Sequence, residues 1–313
     1  MKPAILSIAP LVPDCQKQLE ATYDVHRYDL SEDKDGLVAS IGEQIKAVVT
    51  NGGRGIARDL IERLPNLGVV TSSGVGYDPI DVTACNERSI KVTNTPDVLT
   101  DDVADLTIAL LLATRRNLIV GDAYVRNGKW GEKGPFTLTS SIKGKRIGIA
   151  GLGRIGRAIA SRLEPMKPEL GYWGRNPQSG IDYHYESDLL ALAEWSDILI
   201  ASMPGGAATQ GVVSEKVLEA IGPKGSFINI ARGSVVDEKA LIATLGDGRL
   251  GSAGLDVFLN EPNPDPAFRA LGNVVLHPHN ASGTMETRGA MSQLVLDNLA
   301  AHFAGKPLIT PVN

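Results

Sequence analysis

The chain has 313 residues, 43% hydrophobic and 21% charged, which supplies a packed core and excludes intrinsic disorder. Its formal net charge of −5 removes the basic face that a nucleic acid or an acidic membrane surface requires. Two cysteines, Cys15 and Cys85, make no disulfide framework and no metal-ligand spacing, and no stretch reaches the ~20 apolar residues of a membrane span.

A reducing cytoplasm is therefore the expected setting, with no metal and no membrane or nucleic-acid partner. About 150 residues per domain suggests two domains. The 34 glycines without a three-residue period point to the tight strand-to-helix turns of α/β proteins.

Residues 4–9 read as a strand, and residues 47–50 as a second, ending at Asn51-Gly52-Gly53 before a helical run over 57–64. Residues 69–71 break at Ser73-Gly74-Val75-Gly76, and 90–93 make another short strand. Strands alternating with helices imply βαβ units, so about the first 95 residues form one small parallel-sheet domain. Pro96 marks a boundary, because the residue before a proline is pushed out of helical geometry. Residues 99–115 then carry a helix-period apolar face through Val103, Leu106, Ala109, Leu110 and Ala113.

A second α/β series has strands at 146–150, 169–173, 198–201, 226–230, 254–257 and 274–276. The helical segment 284–303 has no further strand to follow, and is expected to return and cover the first domain.

Gly151-Leu152-Gly153-Arg154-Ile155-Gly156 follows a strand directly and opens a helical run, which is the context a G-x-G-x-x-G fingerprint needs. The first glycine allows the tight turn, the second lets backbone reach a pyrophosphate, and the third lets helix and strand pack closely. The second strand of this series ends Trp173-Gly174-Arg175-Asn176, with no acid to accept from a ribose 2′-hydroxyl. Arg175 would attract a 2′-phosphate instead, so NADPH is expected, with NADH as a weaker possibility. The alternative is a solvated surface arginine after a turn glycine.

The ordered set Gly74-Val75-Gly76, Gly151 to Gly156, Ala231-Arg232-Gly233, Asn260-Glu261-Pro262 and Pro278-His279 resembles the D-isomer-specific 2-hydroxyacid dehydrogenases over nearly the whole chain. Asn51-Gly52-Gly53, Gly128-Lys129-Trp130 and Tyr172-Trp173-Gly174-Arg175 resemble its glyoxylate/hydroxypyruvate reductase branch, which includes the plant-type hydroxyphenylpyruvate reductases.

The resemblance implies a two-domain α/β fold. A flavodoxin-like substrate domain would span residues 1–97 and 285–313, with a Rossmann domain inserted at 98–284. Two crossing helices would join them, with the active cleft between. It also implies reduction of a small 2-keto acid to the D-2-hydroxy acid, and a homodimer.

Elementary chemistry asks for a cation on the substrate carboxylate and an acid for the nascent alkoxide. Arg232 and His279 each lie just beyond a strand, at the edge where open-sheet ligands collect. The arginine fork suits a carboxylate and can polarise the adjacent ketone, and histidine is the natural proton carrier.

By resemblance Glu261 sits against His279, where a carboxylate favours the imidazolium and fixes the ring. Formate dehydrogenases of the family carry glutamine there. The duller readings are a surface ion pair for Arg232, a packing histidine for His279 and a turn residue for Glu261. His277 reads as structural.

The resemblance further assigns the Val75 and Gly76 N–H groups to the substrate carboxylate, Asp256 to the nicotinamide amide, and Ile230, Met203 and Pro204 to the cofactor cleft. An ordinary turn, a capping aspartate and core packing are the competing readings for these. Gly205-Gly206-Ala207-Ala208 departs from the Leu-Thr-Pro-like stretch of many relatives. Trp130 either reaches a partner's substrate pocket or is only buried in the interface.

Two rivals are an NAD-dependent phosphoglycerate oxidation and a non-catalytic dinucleotide-sensing corepressor. Arg175 opposes the first, and the lack of extended tails opposes the second. Glyoxylate, hydroxypyruvate and bulkier aryl-pyruvates are not separated by the sequence.

Overall fold

The computed structural model describes residues 2–313, and among these twelve strands form two sheets in which every neighbouring pair is parallel. The chain divides into two units, Met1–Leu99 with Ser282–Asn313, and Thr100–Ala281.

The first unit contains β1 (Ala4–Ser7), β2 (Asp24–Arg27), β3 (Ile45–Asn51), β4 (Val69–Ser73) and β5 (Lys91–Thr93), in the sheet order β2-β1-β3-β4-β5. That is the flavodoxin-like order. Ile5, Leu6, Ala47, Val48 and Val49 are all 0% exposed, because helices cover both faces and the strands run apolar continuously instead of alternating.

The helix Met285–Phe303 returns to this unit, as its sequence position suggested. Val295, Leu296 and Leu299 pack with Ile5, Ala47, Val49 and Val69. Its first turn is capped by Thr284, whose hydroxyl accepts from the Thr287 N–H. The tail beyond it shields the β5 edge. Val312 N–H donates to Val92 O at 2.8 Å, Thr93 bridges Pro311, and buried Asn298 accepts from the N–H groups of Ile309 and Thr310.

The second unit contains β6 (Arg146–Ala150), β7 (Glu169–Trp173), β8 (His184–Glu186), β9 (Ile198–Ala201), β10 (Ser226–Asn229), β11 (Ser252–Leu255) and β12 (Val274–Leu276). Their order is β12-β11-β10-β9-β6-β7-β8. The order reverses between β6 and β9, the switch point at which doubly wound sheets bind ligands. Helices Arg154–Leu163, Leu189–Trp195 and Glu238–Asp247 return the chain between strands. The latter two are capped by Asp188 and Asp237 side chains.

Two strands escape the sequence reading, β2 and β8. Both are edge strands with short polar sequences, DVHR and HYE, that present no apolar run. Two others end earlier than their apolar runs do. Ile230, Asp256 and Val257 lie past the ends of β10 and β11, in the turns that build the site.

Candidate active site

The turn after β6 sorts its glycines by physical demand. Gly151 has φ +102°, a region side-chain-bearing residues rarely adopt, and a Cβ there would stand 2.8 Å from the Met203 nitrogen. A Cβ on Gly156 would collide with the Gly151 carbonyl oxygen, so that glycine sets the helix–strand approach. Gly153 differs: a Cβ there meets nothing within 4 Å.

Gly153 is also the N-cap of helix Arg154–Leu163, and no side chain caps that end. An open approach to uncapped first-turn N–H groups at a helix N-terminus fits a dinucleotide pyrophosphate. Ser202 steadies the turn by donating to the Gly151 carbonyl at 2.6 Å. Leu152 is buried, Ile155 half-buried and Arg154 exposed.

Of the other residues assigned to the cofactor cleft, Met203 is 3% exposed and its side chain belongs to the core cluster, so its backbone is what abuts the turn. Pro204 is exposed in the loop that follows, and Ile230 is buried beyond β10. Arg175 and Asn176 are exposed in the loop after β7, and residues 174–181 contain no acid.

Arg232 follows β10 with extended backbone and a half-buried side chain, its Nη1 donating to Ala231 O at 2.7 Å. Buried Asn229, which the sequence reading missed, shapes that turn. Its Oδ1 accepts from Ala231 N–H and its Nδ2 donates to Arg232 O, each at 3.0 Å. A Cβ on Gly233 would fall into the Phe258 backbone, so the arginine turn lies flush against the loop after β11. Buried Glu238 holds that loop as well, accepting from Leu259 N–H at 2.8 Å.

Two histidine–carboxylate pairs stand at the end of β12. His279 Nδ1 and Glu261 Oε2 are 2.5 Å apart, and Glu261 Oε1 accepts from Phe258 N–H at 2.9 Å. Burial by itself raises the Glu261 carboxyl. The His279 and Phe258 hydrogen bonds, with the charges of His279 and Arg232, outweigh it and hold the group below the usual carboxylate range. Glu261 is therefore an anion at neutral pH, which directs the His279 Nδ1–H toward it and turns Nε2 to other work.

His277 takes a different carboxylate, its Nδ1 2.5 Å from Asp256 Oδ1. Asp256 is 1% exposed and also accepts from the N–H groups of Asn280 (2.9 Å) and Ala281 (3.1 Å). Its own carbonyl accepts from His279 N–H at 2.7 Å. These bonds hold His279 at φ +46°, a left-handed conformation uncommon for residues other than glycine. The carboxylate assigned by resemblance to the nicotinamide amide is thus already the clamp of the histidine loop.

In the first unit, Val75 and Gly76 follow β4. The Gly74 carbonyl accepts from Thr95 N–H at 2.9 Å and the Val75 carbonyl from Asn94 Nδ2 at 2.8 Å, so these two acceptors of the loop are engaged. Trp130, on the helix Lys129–Lys133, is 62% exposed. Among the described residues no helix is long and apolar enough to cross a membrane, and no group of three or more His, Cys, Asp or Glu is placed to hold a metal.

Residues 108–281 match the D-isomer specific 2-hydroxyacid dehydrogenase, NAD binding domain. Over 308 residues, 98% of each chain, the protein is 45% identical to a hydroxyphenylpyruvate reductase of Plectranthus scutellarioides. It is 47% identical, again over 98% of each chain, to a glyoxylate/hydroxypyruvate reductase of Arabidopsis thaliana. The crystal structure of an NADPH-dependent glyoxylate/hydroxypyruvate reductase from Sinorhizobium meliloti, in complex with NADP and malonate, superposes with a TM-score of 0.92 at 40% identity, covering 100% of this chain and 97% of that one. With its glycine turn at the switch point and its histidine–glutamate pair beyond β12, the chain belongs to the D-isomer-specific 2-hydroxyacid dehydrogenase family, in the glyoxylate/hydroxypyruvate reductase branch.

Proposed function

We propose that the protein reduces small 2-keto acids, glyoxylate and hydroxypyruvate among them, to D-2-hydroxy acids at the expense of NADPH. The observation that carries this reading is the His279–Glu261 pair, 2.5 Å between Nδ1 and Oε2, on the same sheet edge as the glycine turn. The turn from Gly151 to Gly156 holds the pyrophosphate, with Ile230 and the Met203-Pro204 segment beside it. A reduced nicotinamide bound there supplies the hydride for C2 of the substrate.

Glu261 accepts Nδ1–H and thereby fixes the orientation of the His279 ring, leaving Nε2 to face the substrate. His279 passes its Nε2 proton to the keto oxygen as that oxygen gains negative charge, and the neutral ring keeps its Nδ1–H. Arg232 binds the substrate carboxylate and draws charge from the ketone. The Val75 and Gly76 N–H groups of the first unit are read as donors to a substrate carboxylate, with residues 1–97 and 285–313 as the substrate domain and 98–284 as the cofactor domain.

The preference for NADPH is supported by exposed Arg175, with no acid directly after β7 from residue 174 to 181, and by the NADPH dependence stated for the Sinorhizobium meliloti relative. A homodimer is supported by Leu118, Ile119, Val120, Val125, Trp130 and Leu138, large apolar side chains that are all exposed over one stretch of chain.

The test is His279→Ala assayed with NADPH and glyoxylate, beside a nucleotide-binding titration. Turnover is expected to vanish while NADPH still binds. Undiminished turnover would sink the assignment.

A further inference from the structure

The loop that carries Arg175 is pinned to the glycine turn, and Gln178 does most of the pinning. Its Nε2 donates to the Leu152 carbonyl at 2.9 Å, its Oε1 accepts from the Arg157 guanidinium, and its N–H donates to Tyr172 Oη at 2.8 Å. The amide cannot be reversed, because arginine only donates and a carbonyl only accepts. Tyr172 is 1% exposed and packs on Tyr185 with ring centroids 5.2 Å apart. The Tyr185 hydroxyl in turn donates to the Gly174 carbonyl at 3.2 Å.

Leu152 is the second residue of the pyrophosphate turn, and Arg157 lies on the helix that the turn opens. The distance from pyrophosphate to ribose 2′ position is fixed covalently within a dinucleotide. Whatever fixes the Arg175 loop against the turn therefore fixes where Arg175 and Asn176 meet that position. A preorganised loop binds without first being ordered.

We propose that Gln178, seated between Leu152 and Arg157, is a positioning residue for cofactor choice, holding the Arg175 loop in register for a 2′-phosphate. This rests on the NADPH reading above. Gln178 makes no claim on the phosphate itself. It ties two loops whose separation decides whether Arg175 can reach one.

The test compares adenosine 2′,5′-bisphosphate with AMP by titration calorimetry on the intact protein, in wild type, Gln178→Ala, Gln178→Glu and Arg175→Ala. Wild type is expected to bind the bisphosphate at least about tenfold more tightly than AMP, and Arg175→Ala to erase that ratio. Gln178→Ala should lower the ratio by roughly five- to tenfold, the effect of ordering a loop and one long side chain. A merely structural role would weaken both ligands in step.

Gln178→Glu keeps the volume and the Arg157 partner, loses the donor to Leu152 and adds a negative charge. It should lower the ratio further, and it carries the comparison should the alanine variant fail to fold. The NADPH-to-NADH ratio of kcat/KM is expected to follow the binding ratio. If both Gln178 variants stay within about twofold of the wild-type ratio while Arg175→Ala erases it, the proposal is overturned and the NADPH reading stands. A wild-type ratio near one overturns both.

Discussion

Adding one methyl group at either of two glycines should separate folding from ligand binding in this protein. Gly151→Ala places a Cβ at φ +102° and 2.8 Å from the Met203 nitrogen, with Met203 Cα and Cβ at 2.9 and 3.1 Å. Backbone strain of ~1–3 kcal/mol and overpacking of similar size give a loss of roughly 2–6 kcal/mol. For a unit of this size that corresponds to a fall in Tm of roughly 4–24 °C.

Gly153→Ala meets nothing within 4 Å and has an ordinary negative φ. The lower entropy of its unfolded chain offsets a poorer N-cap, and stability should stay within about 1 kcal/mol of wild type. The methyl instead occupies the approach of the pyrophosphate, and NADPH binding should weaken by about tenfold or more. Thermal melts and nucleotide fluorescence titrations measure both quantities on both variants. A Gly153→Ala protein that binds NADPH as wild type does would refute the placement of the pyrophosphate, and an unchanged Gly151→Ala melt would refute the packing argument.

Asp256→Ala removes a buried carboxylate that accepts from the His277 ring and the Asn280 and Ala281 N–H groups, which themselves reach solvent. A loss of roughly 1–3 kcal/mol is expected in denaturant unfolding, and less for Asp256→Asn, which keeps an oxygen acceptor. The Glu261 carboxyl is held below its ordinary value, so its pairing stabilises the fold fully above the unfolded-state pKa and is lost as pH falls through the lower folded one. The Tm difference between wild type and Glu261→Gln should therefore be flat from neutral pH to about 5 and shrink below about 4. A difference that shrinks already between pH 7 and 6 would contradict that order. Leu118→Asp with Val125→Asp should convert the proposed dimer to a monomer in sedimentation velocity, and an unchanged sedimentation coefficient would remove that surface from the proposed interface.

The two unread strands and the Asp256–His277 pairing fail to show in the sequence for one reason. Periodicity and turn signals are local, and these features are not. β2 and β8 are strands only because β1 and β7 offer them an edge. Asp256 meets His277 because the parallel register of β11 on β12 sets Leu255 opposite Leu276 and so brings the residues that follow side by side. The sheet order and the register of these long-range pairs are settled by packing, which no window of neighbouring residues records.

What the sequence alone determined is the chemistry carried by short, ordered segments. The glycine turn after a strand, the arginine and histidine just past strand ends, and Arg175 directly after β7 were all legible, since each signal lies within a few residues of its own strand. The resemblance already set Glu261 against His279, and the two stand 2.5 Å apart. Tertiary structure alone decided the other partners, and Asp256 pairs with His277. Met203 turns into the core, and Gln178 bridges two loops. Each of those outcomes depends on backbone segments separated by 21 to 52 residues in the chain, and is fixed only when the sheet closes around them.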